Sequence, residues 1–358
     1  MPRARKRASD FAFEPERSGG RAQLSLARRT LVEVNRARAE EAHSVRDELR
    51  GLRDEYRDAI AELIGPAGMR RLRKLGSDRS GASRAQIIRR TRTLLRNEGV
   101  DQTRLQRIQE RYEQEARAII SAFDGPARHR PLDGGCDGPW VTYSAPFGGY
   151  AWAYAWERTA NPSNPVLISH LDAQAARVGS SIQAKVSGAG DDDFLSASYY
   201  TGLNRWHTAL DTGPLEVYLG FEFNASTYSG KVTDEFGFSF AVYHQWAGAR
   251  LTAVGAQGGS ESQRSRILAF IGVAWGENDS WDYYAEKPRD MHWYHFRTTT
   301  SFQQGEAVLL EGGVENMTWF EANDQSIAMA DDVNLRLDRI MVRSCRPDPV
   351  LLRRRRRR

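Results

Sequence analysis

The segment that follows Trp275 contains residues whose types and spacing suit sugar binding. Large aromatic rings and hydrogen-bonding groups stand within a few positions of one another: Asn278, Asp279, Trp281, Asp282, Tyr283 and Tyr284. Aromatic rings stack on the apolar faces of sugars, and neighbouring amide and carboxylate groups bind hydroxyls. Large aromatics in a polar connection between strands therefore predict an exposed ligand-binding loop. The alternative interpretation is that the loop folds back and buries the rings.

Histidine and aspartate clusters offer two possible metal sites. His292 and His295 stand three residues apart in a predicted strand, so they would face opposite sides of a sheet and could not share one ion. The clusters Asp191–Asp193 and Asp331-Asp332 could supply oxygen ligands to Ca²⁺. Acidic clusters in turns are more often solvated. The sequence therefore predicts no metal or other cofactor, with Ca²⁺ as the minority interpretation.

Nucleophilic catalysis has little support in the sequence. The run Ser169-His170-Leu171-Asp172 contains the residue types of a hydrolase triad, but no Gly-x-Ser-x-Gly turn accompanies it. Catalysis by a pair of carboxylates, as in glycosidases, stays an alternative, because the distance between two such groups depends on the fold and cannot be read from the sequence. An enzyme is thus the third-ranked class, a glycan-active one if any, and no catalytic residue is predicted.

Three clusters of basic residues could bind a polyanion through its phosphates. The first lies near the amino end of the sequence, at Arg3, Arg5, Lys6 and Arg7. The second, predicted as a loop, consists of Arg70, Arg71, Arg73 and Lys74, and the third of Arg353, Arg354, Arg355, Arg356, Arg357 and Arg358. For the terminal arginines, a solvated tail is an equal alternative.

The net charge of +5 conceals a division between two parts of the chain. Residues 1–130 contain 30 Lys and Arg against 19 Asp and Glu, whereas residues 131–352 contain 15 against 27. All nine Trp lie between Trp140 and Trp319. This compositional change predicts a domain boundary near Pro126–Gly138 and allows either a polyanion partner or attraction between the two parts.

Cys136 and Cys345 bracket the second part of the chain. A disulfide between them would join its first and last strands, since the ends of a domain often lie close together. The alternative, two reduced thiols, is favoured by the lack of an apolar export segment within residues 1–30. We therefore expect a cytoplasmic protein, or one exported without a classical signal peptide, and no transmembrane span.

The first part of the chain has helical periodicity. Apolar residues recur at alternating steps of three and four between Leu24 and Leu63, with a shift of register around Arg38. Gly65-Pro66 is expected to end this helix. A second helical stretch starts near Ser83, pauses at Gly99 and restarts with Asp101 as the N-cap. The pattern predicts a helical hairpin or coiled coil that oligomerises the chain.

The second part of the chain has the period of two that is typical of strands. Tyr150, Trp152, Tyr154 and Trp156 alternate with small residues, and we interpret this ladder as core. Similar runs, separated by Gly-, Asp- and Ser-rich breaks, continue to Val342 without helical patterns between them. The predicted fold class is α+β with several domains, in which an all-β antiparallel, jelly-roll-like sandwich follows the helical segment. The predicted units are a disordered arm (1–20), a helical hairpin (21–125), a β-sandwich (131–346) and an Arg-rich tail (347–358).

Together these features predict a non-enzymatic, lectin-like recognition protein. In this hypothesis the sandwich binds a glycan or protein surface, and the helical part forms a homo-oligomer or docks the chain to a larger assembly. The alternative is a particle protein whose Arg-rich ends bind nucleic acid.

Overall fold

A helical layer and two antiparallel sheets make up the part of the chain that the computed structural model describes. That part comprises residues 5–14, 21–77, 84–124, 136, 138–158, 165–186, 193–234, 240–275, 279–284, 291–323 and 325–345. The helices are α1 (Arg21–Ser77), α2 (Arg84–Asn97) and α3 (Gln102–Asp124). The strands are β1 (Arg5–Glu14), β2 (Val141–Tyr143), β3 (Gly148–Arg158), β4 (Val166–Ser169), β5 (Arg177–Val186), β6 (Asp193–Thr208), β7 (Leu215–Asp234), β8 (Phe240–Gly255), β9 (Ser260–Trp275), β10 (Asp279–Tyr284), β11 (Met291–Arg297), β12 (Ala307–Asn323) and β13 (Gln325–Ser344).

The strands form two sheets in which every pairing is antiparallel. Sheet A has the order β1-β3-β6-β12-β8-β9. Sheet B has the order β10-β7-β13-β5-β4, with β11 also paired to β7 and β2 to β13. Helices followed by an antiparallel sandwich are the predicted fold class, which is confirmed. The prediction of a disordered arm is wrong for Arg5–Glu14, because this segment pairs with β3 at the edge of sheet A.

The helices follow the predicted pattern except at Gly65. The Asp101 carboxylate accepts hydrogen bonds from the backbone N–H groups of Thr103 and Arg104, which confirms it as the N-cap of α3. At Gly65 the backbone leaves the helical region (φ 76°, ψ 163°), as expected for a helix end. Pro66 then starts a further helical stretch that runs to Ser77, because proline is well suited to the first turn of a helix.

The helical layer packs on the outer face of sheet A. Leu49 and Ile60 of α1 are buried in one apolar cluster with Ile120 of α3 and with Trp152 and Trp246 of the sheet. The Tyr150–Tyr154 part of the aromatic ladder belongs to this cluster and is core, as predicted. The apolar stripe of α1 is therefore used within the chain, and the prediction that it joins other copies is wrong for the buried positions.

A buried polar layer lies between α1 and sheet A where the apolar stripe changes register. Arg38 forms an ion pair with Glu315 of β12. Asn35 donates to the Tyr150 hydroxyl over 3.2 Å and accepts from Arg250 over 2.8 Å. These contacts explain the shift around Arg38, because at this level the helix presents polar side chains to polar partners on the sheet.

The space between the two sheets holds two apolar clusters. One contains Leu219 and Phe296 of sheet B against Leu310 of sheet A, and the other contains Ile182 against Phe320. The alternation that predicted the strands therefore corresponds to one face turned toward this interior. Within the described residues, no helix has both the length and the apolar character needed to cross a membrane.

Cys136 and Cys345 form a disulfide. The bond ties the segment before β2 to the end of β13, as one of the two alternatives predicted. The other alternative, two reduced thiols, does not apply to this structure.

Candidate functional site

Strands β7 and β11 place alternate side chains on the solvent-facing side of sheet B. In their register, Trp293 is opposite Gly220, His295 opposite Tyr218 and Arg297 opposite Glu216. The intervening Tyr294 and Phe296 pack into the sandwich interior. Because side chains alternate across a strand, Trp293 and His295 must lie on the outer face.

Trp293 covers a glycine in the neighbouring strand. A Cβ atom added to Gly220 would lie 2.9–3.3 Å from three atoms of the Trp293 six-membered ring. The indole therefore rests on the backbone of β7, which only glycine permits at this distance. Trp293 nevertheless keeps 45% of its surface exposed, so it presents a large apolar area to solvent.

A row of rings continues from Trp293 across the sheet. Tyr218 precedes Gly220 by two positions along the same face of β7. Its ring centroid lies 4.5 Å from that of His295 and 5.4 Å from that of Trp140. Trp140, which precedes β2, is 36% exposed. We call these four residues, Trp140, Tyr218, Trp293 and His295, the aromatic row.

A nearly buried carboxylate anchors the middle of the aromatic row. Glu216 accepts from His295 Nε2 over 2.8 Å through one oxygen and from Arg343 Nε over 2.6 Å through the other. Burial raises the pKa of Tyr218, with a further contribution from the negative charge of Glu216. The Tyr218 hydroxyl therefore stays protonated at neutral pH and is available as a hydrogen-bond donor.

Two arginines lie beside the exposed indoles. The guanidinium carbon of Arg343 is 4.4 Å from the centroid of the Trp140 ring, and that of Arg339 is 5.9 Å from the Trp293 ring. Arg339 Nε donates to Asp338 over 2.6 Å. The outer face of sheet B thus combines flat apolar rings with strong hydrogen-bonding groups, as ligand sites generally do.

The disulfide lies next to this surface. Cys136, Cys345 and Glu216 form one buried group, with their ligand-type atoms within 4.8 Å of one another. Because the two sulfurs are bonded to each other, this group cannot hold a metal as thiolates would.

The predicted loop after Trp275 is mostly a strand. Asp279–Tyr284, which includes Trp281, Asp282 and Tyr283, forms β10 and pairs with the far half of β7 from Val232 to Thr227. The loop prediction is therefore wrong for these residues, since the aromatic alternation fits strand pairing. Asn278 lies outside the described residues, and a ligand site in this segment stays a prediction.

The predicted basic loop is also helical. Arg70, Arg71, Arg73 and Lys74 belong to the part of α1 that follows Gly65. Arg71 forms an ion pair with Glu98, so this cation has a partner within the chain. Arg353–Arg358 lie outside the described residues. Polyanion binding stays a prediction for both clusters.

A serine, a histidine and an aspartate meet on sheet B without forming a catalytic relay. His170 Nε2 lies 2.9 Å from Ser181 Oγ and 2.7 Å from Asp332 Oδ1, and Ser181 also donates to Asp332. A hydrolase triad uses the two different ring nitrogens for serine and aspartate. Here both partners share one nitrogen, so this geometry gives no support to nucleophilic catalysis.

The acidic and histidine pairs considered as metal ligands are each divided between two faces. Asp332 contacts His170 on the outer face, whereas Asp331 is buried in the sandwich against Thr318. His292 contacts Phe223, while His295 contacts Glu216. His292 and His295 thus face opposite sides of the sheet, as the alternation predicted, whereas Asp331 is not in the solvated turn that was expected. Asp191 and Asp192 lie outside the described residues.

Trp140, Tyr218 and Trp293 were not among the predicted site residues. They come from three segments that are far apart in the sequence and meet only through strand pairing. A sequence signal did exist at Trp293, because the alternation in His292–His295 puts Trp293 and Tyr294 on opposite faces.

Comparisons with known proteins give weak likenesses only. No family model and no curated protein matches the chain. Among solved structures, a carbohydrate-binding module in complex with β-1,4-galactotriose is similar over 46% of this chain and 88% of its own, with 9% identity and a TM-score of 0.16. The enzymatically active domain of bacteriophage CBA120 tailspike protein 4 is similar over 56% of this chain and 19% of its own, with 9% identity and a TM-score of 0.12. A carbohydrate-binding module of the β-sandwich superfamily is similar over 53% of this chain and 85% of its own, with 8% identity and a TM-score of 0.13. At TM-scores this low, nothing about the fold or the ligand of this chain follows from these likenesses.

Proposed function

We propose that the chain binds a glycan on the outer face of sheet B, through the aromatic row. The observation that carries this proposal is Trp293, which lies across Gly220 and is 45% exposed. A ring supported from below by backbone is held in place before any ligand arrives. Binding to it therefore costs little conformational entropy.

The surroundings of the rings contain the groups that suit a sugar. Here each exposed indole has a guanidinium next to it, Arg343 at Trp140 and Arg339 at Trp293. A sugar offers both an apolar face for the ring and polar groups at its rim for the arginine.

The test is a glycan array probed with the full chain, followed by titration of the best-bound oligosaccharide. Replacing Trp293 with Ala should weaken that binding by about tenfold, equivalent to about 1.4 kcal/mol. Ile168→Ala is the matched control, because Ile168 is 46% exposed on β4 of the same sheet but lies away from the aromatic row. An array without signal, or equal binding by the two variants, would contradict the proposal.

A further inference from the structure

We infer that the glycan bound by the aromatic row is acidic, with carboxylate or sulfate groups on its sugars. This inference rests on the proposed function and specifies its ligand. It starts from a repeated arrangement: Trp140 with Arg343, and Trp293 with Arg339, each an exposed indole with a guanidinium alongside.

In both pairs the protein itself orients the guanidinium. Arg343 Nε donates to Glu216, and Arg339 Nε donates to Asp338, both over 2.6 Å. Neither of these hydrogen bonds uses the terminal nitrogens of the guanidinium. Within the described part of the chain, no side chain bonds to these nitrogens. Two N–H donors are thus held side by side, in the geometry that binds a carboxylate or sulfate through two bonds.

The carboxylate beside Trp140 is not available to accept a hydrogen bond from a sugar hydroxyl. Glu216 uses one oxygen for His295 and the other for Arg343, and only 7% of its surface is exposed. A ligand at this end of the aromatic row therefore meets hydrogen-bond donors rather than acceptors. The charge of Arg343 is already paired with Glu216, so an anionic group on the sugar would bind through the remaining N–H donors of the guanidinium, which form stronger hydrogen bonds with an anion than with a neutral hydroxyl.

The distances also place an anionic group beside the indoles. Arg343 lies over the Trp140 ring, 4.4 Å from its centre. A sugar that packs on the part of this indole left exposed would have its substituents close to the terminal nitrogens of the guanidinium. The same relation recurs at Trp293 and Arg339, which flank Gly220 in one row of the sheet. Two such units on one surface suit a polymer with repeated acidic groups.

The test compares charged and neutral forms of one sugar chain, using the full-length protein. An oligouronate and its carboxyl-reduced counterpart share the same linkage and differ only in charge. We expect the oligouronate to bind at least about tenfold more tightly at low salt, with a preference that falls as salt screens the charges. A sulfated oligosaccharide and its desulfated form distinguish sulfate from carboxylate as the anionic group.

Variants at Arg339 test whether its guanidinium contributes to the preference. Arg339→Gln should reduce the oligouronate preference severalfold, and Arg339→Lys should restore it only in part, because lysine keeps the charge but lacks the planar pair of donors. Arg336→Gln is the control, since Arg336 lies on β13, pairs with Glu222 and has no contact with an indole of the aromatic row. Arg336→Gln should leave the preference unchanged.

The possible results separate this inference from the proposed function. Equal or tighter binding of the neutral form, with loss of binding in Trp293→Ala, would overturn the acidic preference and leave glycan binding intact. Binding of single-stranded DNA but of neither sugar form would overturn both. A failure of every probe to bind would also overturn both.

Discussion

Arg38 of α1 and Glu315 of β12 form an ion pair, with 3.1 Å between Nε and Oε1, that is buried between the helical layer and sheet A. The Arg38 guanidinium also lies 3.5 Å from the centre of the Phe123 ring in α3. Burial lowers the pKa of Arg38, which the negative charge of Glu315 opposes. One side chain thus connects both long helices to the sheet.

Arg38→Met should destabilise the fold by about 3–5 kcal/mol, because it leaves the Glu315 carboxylate buried without its cation. The double variant Arg38→Met/Glu315→Met should recover much of that loss, since it removes both charges together. Urea unfolding, monitored by tryptophan fluorescence, measures both. Arg36→Met serves as the control, because Arg36 is exposed on the same helix. A loss below about 1 kcal/mol in Arg38→Met, the range of an exposed pair, would contradict the assigned role.

The strand alternation and the helix cap at Asp101 could be predicted because they depend on neighbouring residues only. The buried polar layer around Arg38 could not be predicted from neighbouring residues. The sequence reveals a shift in the apolar stripe, but its cause is a polar partner on β12 that lies far away in the chain. Gly65-Pro66 shows a second limit, since the same two residues can end one helix and begin the next.

The aromatic row could not be assembled from the sequence for a related reason. Whether Trp293 or Tyr294 faces solvent depends on which side of sheet B packs against sheet A, and this is a property of the whole fold. Gly220, in the middle of a strand, was the available clue, because an internal glycine often marks a close approach by another group. Its partner becomes known only from the register of β11 on β7.

Two buried acids should make stability depend on pH. Burial raises the pKa of Glu311 to about 7, although the nearby Arg250 opposes the shift. Burial also raises the pKa of Asp331 to about 7, although its hydrogen bond with Thr318 opposes the shift. Both acids bind protons more tightly in the folded state than in the unfolded state. Their stabilising contribution is therefore complete below the unfolded pKa values near 4 and is lost as pH rises toward about 7.

His207 acts in the opposite direction. Burial lowers its pKa to about 4, so its contribution is present above the unfolded value near 6.5 and is lost as pH falls toward 4. Between about pH 4.5 and 6.5, rising pH thus lowers the free energy of unfolding through the two acids and raises it through His207. These three groups together should lower the free energy of unfolding by about 1.4 kcal/mol per unit of rising pH.

Urea unfolding of the parent chain, Glu311→Gln and Asp331→Asn at several pH values between 4.5 and 8 tests this assignment. Each variant removes one titrating group. The free energy of unfolding of the variant minus that of the parent should therefore rise by on the order of 3 kcal/mol as pH is raised from low to neutral. His207→Gln should change the slope in the opposite sense. A difference between parent and Glu311→Gln that is constant with pH would show that Glu311 does not titrate in this range.

The disulfide is positioned to hold Trp140 in the aromatic row. Cys136 precedes Trp140 by four residues, and its partner Cys345 follows the end of β13. A Cβ atom added to Gly138 would lie 2.6 Å from the Ser344 carbonyl oxygen, so the backbone at Gly138 lies against β13. The bond therefore helps to fix the position of Trp140, one of the two indoles of the aromatic row.

Replacing both cysteines with serine should have two effects. The free energy of unfolding should fall by about 2–5 kcal/mol, because the bond closes a long loop of the unfolded chain between cysteines with a sequence separation of 209. Affinity for the oligosaccharide selected on the array should also fall severalfold as Trp140 loses its fixed position. A double-mutant cycle separates the two effects: in a Trp140→Ala background, removal of the disulfide should still lower stability but should cause no further loss of affinity. An affinity loss of equal size in both backgrounds would mean that the disulfide supports the surface through Glu216 and Arg343 rather than through Trp140.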